Sequence, residues 1–169
     1  MTGLNPQVIG TEMPYGFAGS YARQPDMVVN TRPAGGVIPF GMALTYDENK
    51  NVVVFGTAST NNFIGVAGKE IKTALTYLDQ NVGEYAAGEP ASVFQRGSIN
   101  VRCQRSVPSL GGAVYVRTAV NDTYPGCVVG GFEAEADSGK TQLLGNCQWG
   151  GSADADGVAE LVILTRANV

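Results

Sequence analysis

Short apolar runs, each closed off by glycine, recur through the centre of this 169-residue chain. They are Phe63-Ile64-Gly65-Val66-Ala67, then Tyr85 to Val93 around a Gly88-Glu89-Pro90 turn, then Gly97-Ser98-Ile99-Asn100-Val101, then Ala113-Val114-Tyr115-Val116. Runs this short cannot bury a helical stripe, and their β-branched content suits a pleated surface. From Tyr85 onward the strand candidates are Ala91–Phe94, Ser98–Cys103, Ala113–Thr118, Cys127–Phe132, Gln142–Gln148 and Gly157–Leu164. Gly97, Gly111-Gly112, Pro125-Gly126, Gly139, Gly150-Gly151 and Asp156-Gly157 separate them. Many short strands with Gly/Pro turns at such spacing specify an all-β fold, a small β-barrel or a jelly-roll-like β-sandwich.

Upstream, Ile38, Phe40, Met42, Leu44 and Tyr46 alternate with Pro39, Gly41, Ala43 and Thr45, a strand period. Asp47-Glu48-Asn49-Lys50-Asn51 reads as a turn, Val52–Phe55 as the returning strand, and Phe63–Ala67 as a further short one. In Lys69–Gln80, Ile71, Ala74, Leu75 and Leu78 fit a helix, while Ile71, Thr73, Leu75 and Tyr77 alternate as in a strand. The fold therefore holds at most one short helix.

Residues 1–36 contain Pro6, Pro14, Pro25 and Pro33 among six glycines. That spacing excludes a long helix and argues against a sustained strand. The segment is nevertheless too apolar for a solvated linker, so it reads as an extended N-terminal arm followed by a β domain over 37–169. Tyr15, Phe17, Tyr21, Met27 and Val29 are its candidate contact residues, packed either on the chain's own barrel or on a neighbour.

Charged residues make up only 15% of the chain, against the usual ~25% for a soluble domain. Part of the surface is thus expected to be covered by other subunits. Net charge is −4, and the eleven basic residues form no run, which argues against a nucleic-acid partner. Arg96, Arg102, Arg105 and Arg117 read as solvent-side residues of strands. Glu133, Glu135 and Asp137, alternating with alanines, read as a solvated edge that would discourage aggregation. No apolar run approaches the ~18 residues of a membrane span, and Met1-Thr2-Gly3-Leu4-Asn5-Pro6 lacks signal-peptide features. A soluble chain made in the cytosol, with no membrane partner, is the expectation.

The chain has no histidine, which removes the commonest general base and both Ser-His-Asp and Cys-His mechanisms. Cys103, Cys127 and Cys147 are odd in number and widely spaced, fitting neither a disulfide framework nor a zinc site. Cys103 alternates with Ile99 and Val101 as a small buried apolar residue would. Ser138-Gly139-Lys140-Thr141 resembles the end of a phosphate loop, but Ala134 stands where its first glycine belongs. Asp47-x-Asn49-x-Asn51 begins like a calcium loop, yet Val52 replaces the turn glycine and Ala58 the final glutamate. Both read as polar turns. No catalytic residue, metal site or cofactor is expected, and the chain is not read as an enzyme.

The same positions carry a resemblance. Phe63 to Ala67, Tyr85 with Gly88-Glu89-Pro90 and Val93, Gly97 with Ile99 and Val101, and Ala113 to Val116 resemble the capsid cement, or decoration, proteins of tailed bacteriophages. Pro39-Phe40-Gly41-Met42-Ala43-Leu44 and the stretch from Trp149 to Leu164 fit the same layout, so the likeness spans roughly 37–165. It implies a structural protein of the virion that oligomerises on the capsid exterior, as a homotrimer or alternatively a homodimer, and clamps neighbouring major capsid protein subunits. The alternative is a head-fibre or carbohydrate-binding β-sandwich, in which Tyr115, Tyr124 and Trp149 would stack on sugars.

Overall fold

The computed structural model describes residues 15–23, 26–59, 61–69 and 82–165. Its strands, in chain order, are β1 (Val28–Pro33), β2 (Ile38–Pro39), β3 (Ala43–Tyr46), β4 (Val52–Val54), β5 (Gly65–Ala67), β6 (Glu84–Tyr85), β7 (Pro90–Arg102), β8 (Ala113–Arg117), β9 (Phe132–Glu133), β10 (Thr141–Trp149) and β11 (Val158–Ile163). Among the described residues there is no helix. All but β2 and β6 form one curled antiparallel sheet in the order β4-β3-β5-β7-β11-β10-β8-β9, with β1 also on β7, while β2 and β6 pair separately. The all-β expectation holds. Residues 70–81, which carry nearly all of the ambiguous segment, lie outside the described residues.

The long strand β7 organises the sheet. Its first half pairs with β1, from Val28↔Arg96 to Pro33↔Pro90, and with β5 at Val66↔Phe94 and Ala67↔Val93. Its second half, Gly97 to Arg102, pairs with β11. Gly97 separates two strands in the sequence pattern, yet the strand continues through it. Gly97 takes φ +104, and a Cβ there would lie 2.5 Å from the carbonyl oxygen of Asp26. Glycine here allows one strand to bend without ending, where it was expected to punctuate.

The core divides in two because residues on both faces of β3, β5 and β7 are covered. Ala43, Val66 and Phe94 join a large cluster with Phe55, Ile99, Val116, Phe132, Trp149 and Leu161. Their neighbours Leu44, Ala67 and Val93 point the other way, into a smaller cluster with Ile38, Val52 and Tyr85. Each fully buried Phe stabilises the fold by about 1.5–3 kcal/mol. The nine-residue alternation from Ile38 to Tyr46 therefore does not mark an inside and an outside. The chain turns at Phe40-Gly41 between β2 and β3, and Phe40 lies edge-on to Tyr85 at 5.0 Å.

Two further expectations are corrected. Only Phe132 of the run Cys127–Phe132 is in a strand, because the Gln104 side chain occupies the backbone of Val128, accepting from its N–H and donating to its carbonyl, each at 2.9 Å. Within residues 1–36, β1 is a sustained strand. Pro25 and Pro33 leave Asp26–Arg32 free of breakers, and Pro33 closes the ladder where no donor is needed. The two polar turns are as read. Asn51 donates its N–H to the Asp47 carboxylate at 2.8 Å, and Lys140 donates its own to the carbonyl of Asp137 at 2.9 Å.

Gly97→Ala should lower stability by about 2 kcal/mol or more, combining left-handed strain of roughly 1–2 kcal/mol with a backbone clash. Gly145→Ala, with open space around it, should change stability by less than about 0.5 kcal/mol. Chemical denaturation of both variants measures the difference.

Candidate docking surface

The described residues hold no group of His, Cys, Asp and Glu that could bind a metal. All three cysteines are free and buried, and burial pushes the Cys147 thiol up to about 12. A protonated, shielded thiol is a poor nucleophile. The polar chemistry is instead concentrated in ion pairs that fix loops.

At the end of β8, Arg117 is fully buried, as is Glu133 on the adjacent β9. The two form a fork, Nε to Oε1 at 2.5 Å and Nη2 to Oε2 at 3.1 Å. Arg117 Nη2 also reaches Asp137 at 3.0 Å, whose carboxylate accepts from the Asn121 amide at 2.8 Å. Burial alone would lower the Arg117 pKa. The bonds to Glu133 and Asp137 outweigh it, and the group is held above its ordinary value. Asn121 first, then Arg117, hold the Asp137 carboxyl below its ordinary value against the opposing effect of burial. The contribution of Asp137 is thus fully present above the usual carboxylate range and is lost as pH falls through its depressed value.

Arg105 extends this network. Its guanidinium lies 4.4 Å from the Tyr124 ring, donates to the carbonyls of Glu135 and Ala136, and stands 3.7 Å from Glu133. Gln104 adds a bond to Glu133 at 3.2 Å. Segments 103–106, 117–128 and 133–137 are therefore tied together by side chains distant in sequence. This corrects three readings: Arg117 and Glu133 do not face solvent, and Arg105 lies outside any strand with its side chain only 13% exposed. The signal for the first two was faint, an arginine ending an apolar strand and a glutamate following Phe132.

These pinned loops present apolar side chains to solvent. Of the eleven exposed large apolar residues among the described ones, Val107, Leu110, Val120, Tyr124 and Val128 come from loops 103–112 and 118–131. Leu110 and Val107 are 81% and 77% exposed. Scattered apolar residues on a surface are ordinary, but a concentration on ordered loops suits contact with a partner. A cleft of about 490 Å³ runs between the second loop and the segment around Ala18, lined by Phe40, Met42, Arg102, Gln104 and Val128.

The sequence-derived contact residues separate into two groups. Tyr21, Met27 and Val29 are partly buried against the large core cluster, with Tyr21 stacked on Phe94 at 5.5 Å. Tyr15 and Phe17 are exposed, and the Lys69 ammonium sits 3.8 Å from the Phe17 ring centroid. The aromatic trio of the carbohydrate reading does not form a stacking platform. Trp149 is fully buried, Tyr115 is half-buried and Tyr124 is covered on one face by Arg105.

A rigid β scaffold, with charged groups fixing its loops and apolar side chains outward, suits a protein that works by contact. The family model of the structural cement protein (E217 gp24/Pam3 gp6) matches residues 5–164, so the chain belongs to this family of phage structural proteins, which are capsid-associated virion components and not enzymes. A chain from the solved capsid of Myoviridae phage XM1 shares the fold, with a TM-score of 0.69 and 15% sequence identity over 96% of this chain and 98% of that one. No curated protein sequence matches.

Removing one partner from a buried ion pair leaves an uncompensated charge and costs about 3–5 kcal/mol. Glu133→Ala should therefore lower Tm by on the order of 10 °C. Replacing both partners, Arg117→Met with Glu133→Leu, should cost clearly less. Calorimetry on the three proteins reads this directly.

Proposed function

We propose that this cement protein binds the outside of a tailed-phage head and holds neighbouring major capsid protein subunits together, acting as a homotrimer, with a homodimer as the alternative. The observation that carries the reading is the pair of loops pinned by Arg117, Glu133 and Arg105, which hold Leu110, Val107, Val120 and Val128 toward solvent. A surface ordered before contact loses little entropy on binding. Repetition over a shell then multiplies modest contacts through avidity. Tyr15 and Phe17, exposed on the arm, are proposed as a second contact. The low charge of the chain supports the same reading, since a subunit embedded among neighbours needs fewer solvated groups.

Heads stripped of the protein should lose heat resistance and regain it on adding the protein back. Leu110→Asp and Val120→Asp should weaken rebinding at least tenfold, because each puts a charge into an apolar contact, while Tm stays within a few degrees. Rebinding at the parental affinity by both variants would remove these loops from the contact. The mass in solution distinguishes trimer from dimer.

A further inference from the structure

Seven polar or charged residues are buried among the described ones, and three of them, Ser98, Asn100 and Glu160, lie under or beside the segment Tyr15–Arg23. The segment pairs as an extra strand on the second half of β7. Gly19 donates to Asn100 O at 2.7 Å, Asn100 donates to Ser20 O at 2.8 Å, and Ala22 donates to Ser98 O at 3.0 Å. On its other side, Lys69, two residues past β5, donates its N–H to Gly19 O at 2.7 Å. Only glycine fits there: φ is +85, and a Cβ would stand 2.8 Å from Ala67 O.

The two ends of the segment fold across the sheet and are held by polar groups alone. Arg23 Nε meets Glu160 at 2.7 Å, Tyr15 N–H donates to Asp154 at 2.9 Å, and Asn100 Nδ2 donates to Tyr15 O at 2.7 Å. Tyr21 is the one residue of the segment packed against the large core cluster. Asn100 Oδ1, buried, has no hydrogen-bond partner among the described residues. Apart from Phe94 and Ile99 beside Tyr21, the seat is lined by serine, asparagine and glutamate, unlike the apolar floor beneath β1. When uncovered, its groups exchange protein hydrogen bonds for water at small net cost, about 0.5–1.5 kcal/mol each.

We infer that Tyr15–Arg23 is a releasable strap, seated on a strand-addition slot of β7 that opens without unfolding of the sheet. Release frees a segment bearing Tyr15 and Phe17 to reach a neighbouring subunit. It also leaves the edge groups of Ser98, Asn100 and Lys69 without their strap partners. This use of the strap rests on the cement reading. The opening itself is a property of the isolated chain.

Amide hydrogen exchange on the purified full chain tests it, with an internal control in one strand. The Asn100 N–H faces the strap, whereas Ile99 and Val101 share the parity of Cys103, whose N–H donates to Gly157 O on the β11 side. Asn100, Gly19 and Ala22 should exchange at least tenfold faster than Ile99 and Val101. Glu160→Gln and Asp154→Asn, at opposite ends of the seat, should each speed the first group about tenfold and leave the second unchanged. Equal protection of Asn100 and its two neighbours in the parent chain, or parallel loss of both groups in the variants, overturns the inference. Because no capsid is present, this outcome is independent of whether the protein binds heads.

Discussion

One bend in one strand makes the fold possible. β7 runs unbroken through Gly97, so its first half belongs with β1 and β5 and its second half with β11. A strand that turns this corner carries its hydrogen-bond ladder with it, and the curled sheet needs no separate connection between its two parts. The larger core then forms in the concavity, where Phe94 from the first half meets Ile99 and Val101 from the second. The strap, the β1 ladder and the position of β11 all depend on that backbone path.

The second constraint is how so few charges are used. Arg117 and Glu133 are wholly buried, and Asp137, Arg105, Asn121 and Gln104 complete their bonding. Buried ion pairs of this kind seldom add net stability, but they penalise every arrangement in which one partner lacks the other. Here they fix irregular loops that have no ladder of their own. Val128 illustrates it, since Gln104 satisfies both its backbone groups in place of a neighbouring strand. Loops ordered by side chains can hold apolar residues outward without collapsing onto them.

Much of this architecture was legible because local pattern and final burial agree. The strands of β8, β10 and β11, the hairpin around Asp47–Asn51 and the burial of Cys103 all follow from short-range pattern. What escaped depends on partners far away in sequence. Gly97 has the composition of a terminator, and only the approach of Asp26 explains why it bends a strand instead. Glu133 has the pattern of a solvated edge until Arg117, sixteen residues earlier, is placed against it. Met27 and Val29 in the arm are apolar enough for any interface, and the ladder between β1 and β7 decides which core they meet. The polar seat of the strap was invisible for the same reason: Arg23 and Glu160 are 137 residues apart.

We propose an external clamp whose loops 103–112 and 118–131 face the shell. A cryo-EM reconstruction of heads carrying the protein tests it most directly. An external clamp should give density for the curled sheet on the outer surface, over seams between capsid subunits, with loops 103–112 and 118–131 against the shell. Density on the inner surface, or outer density with these loops turned to solvent, would contradict it.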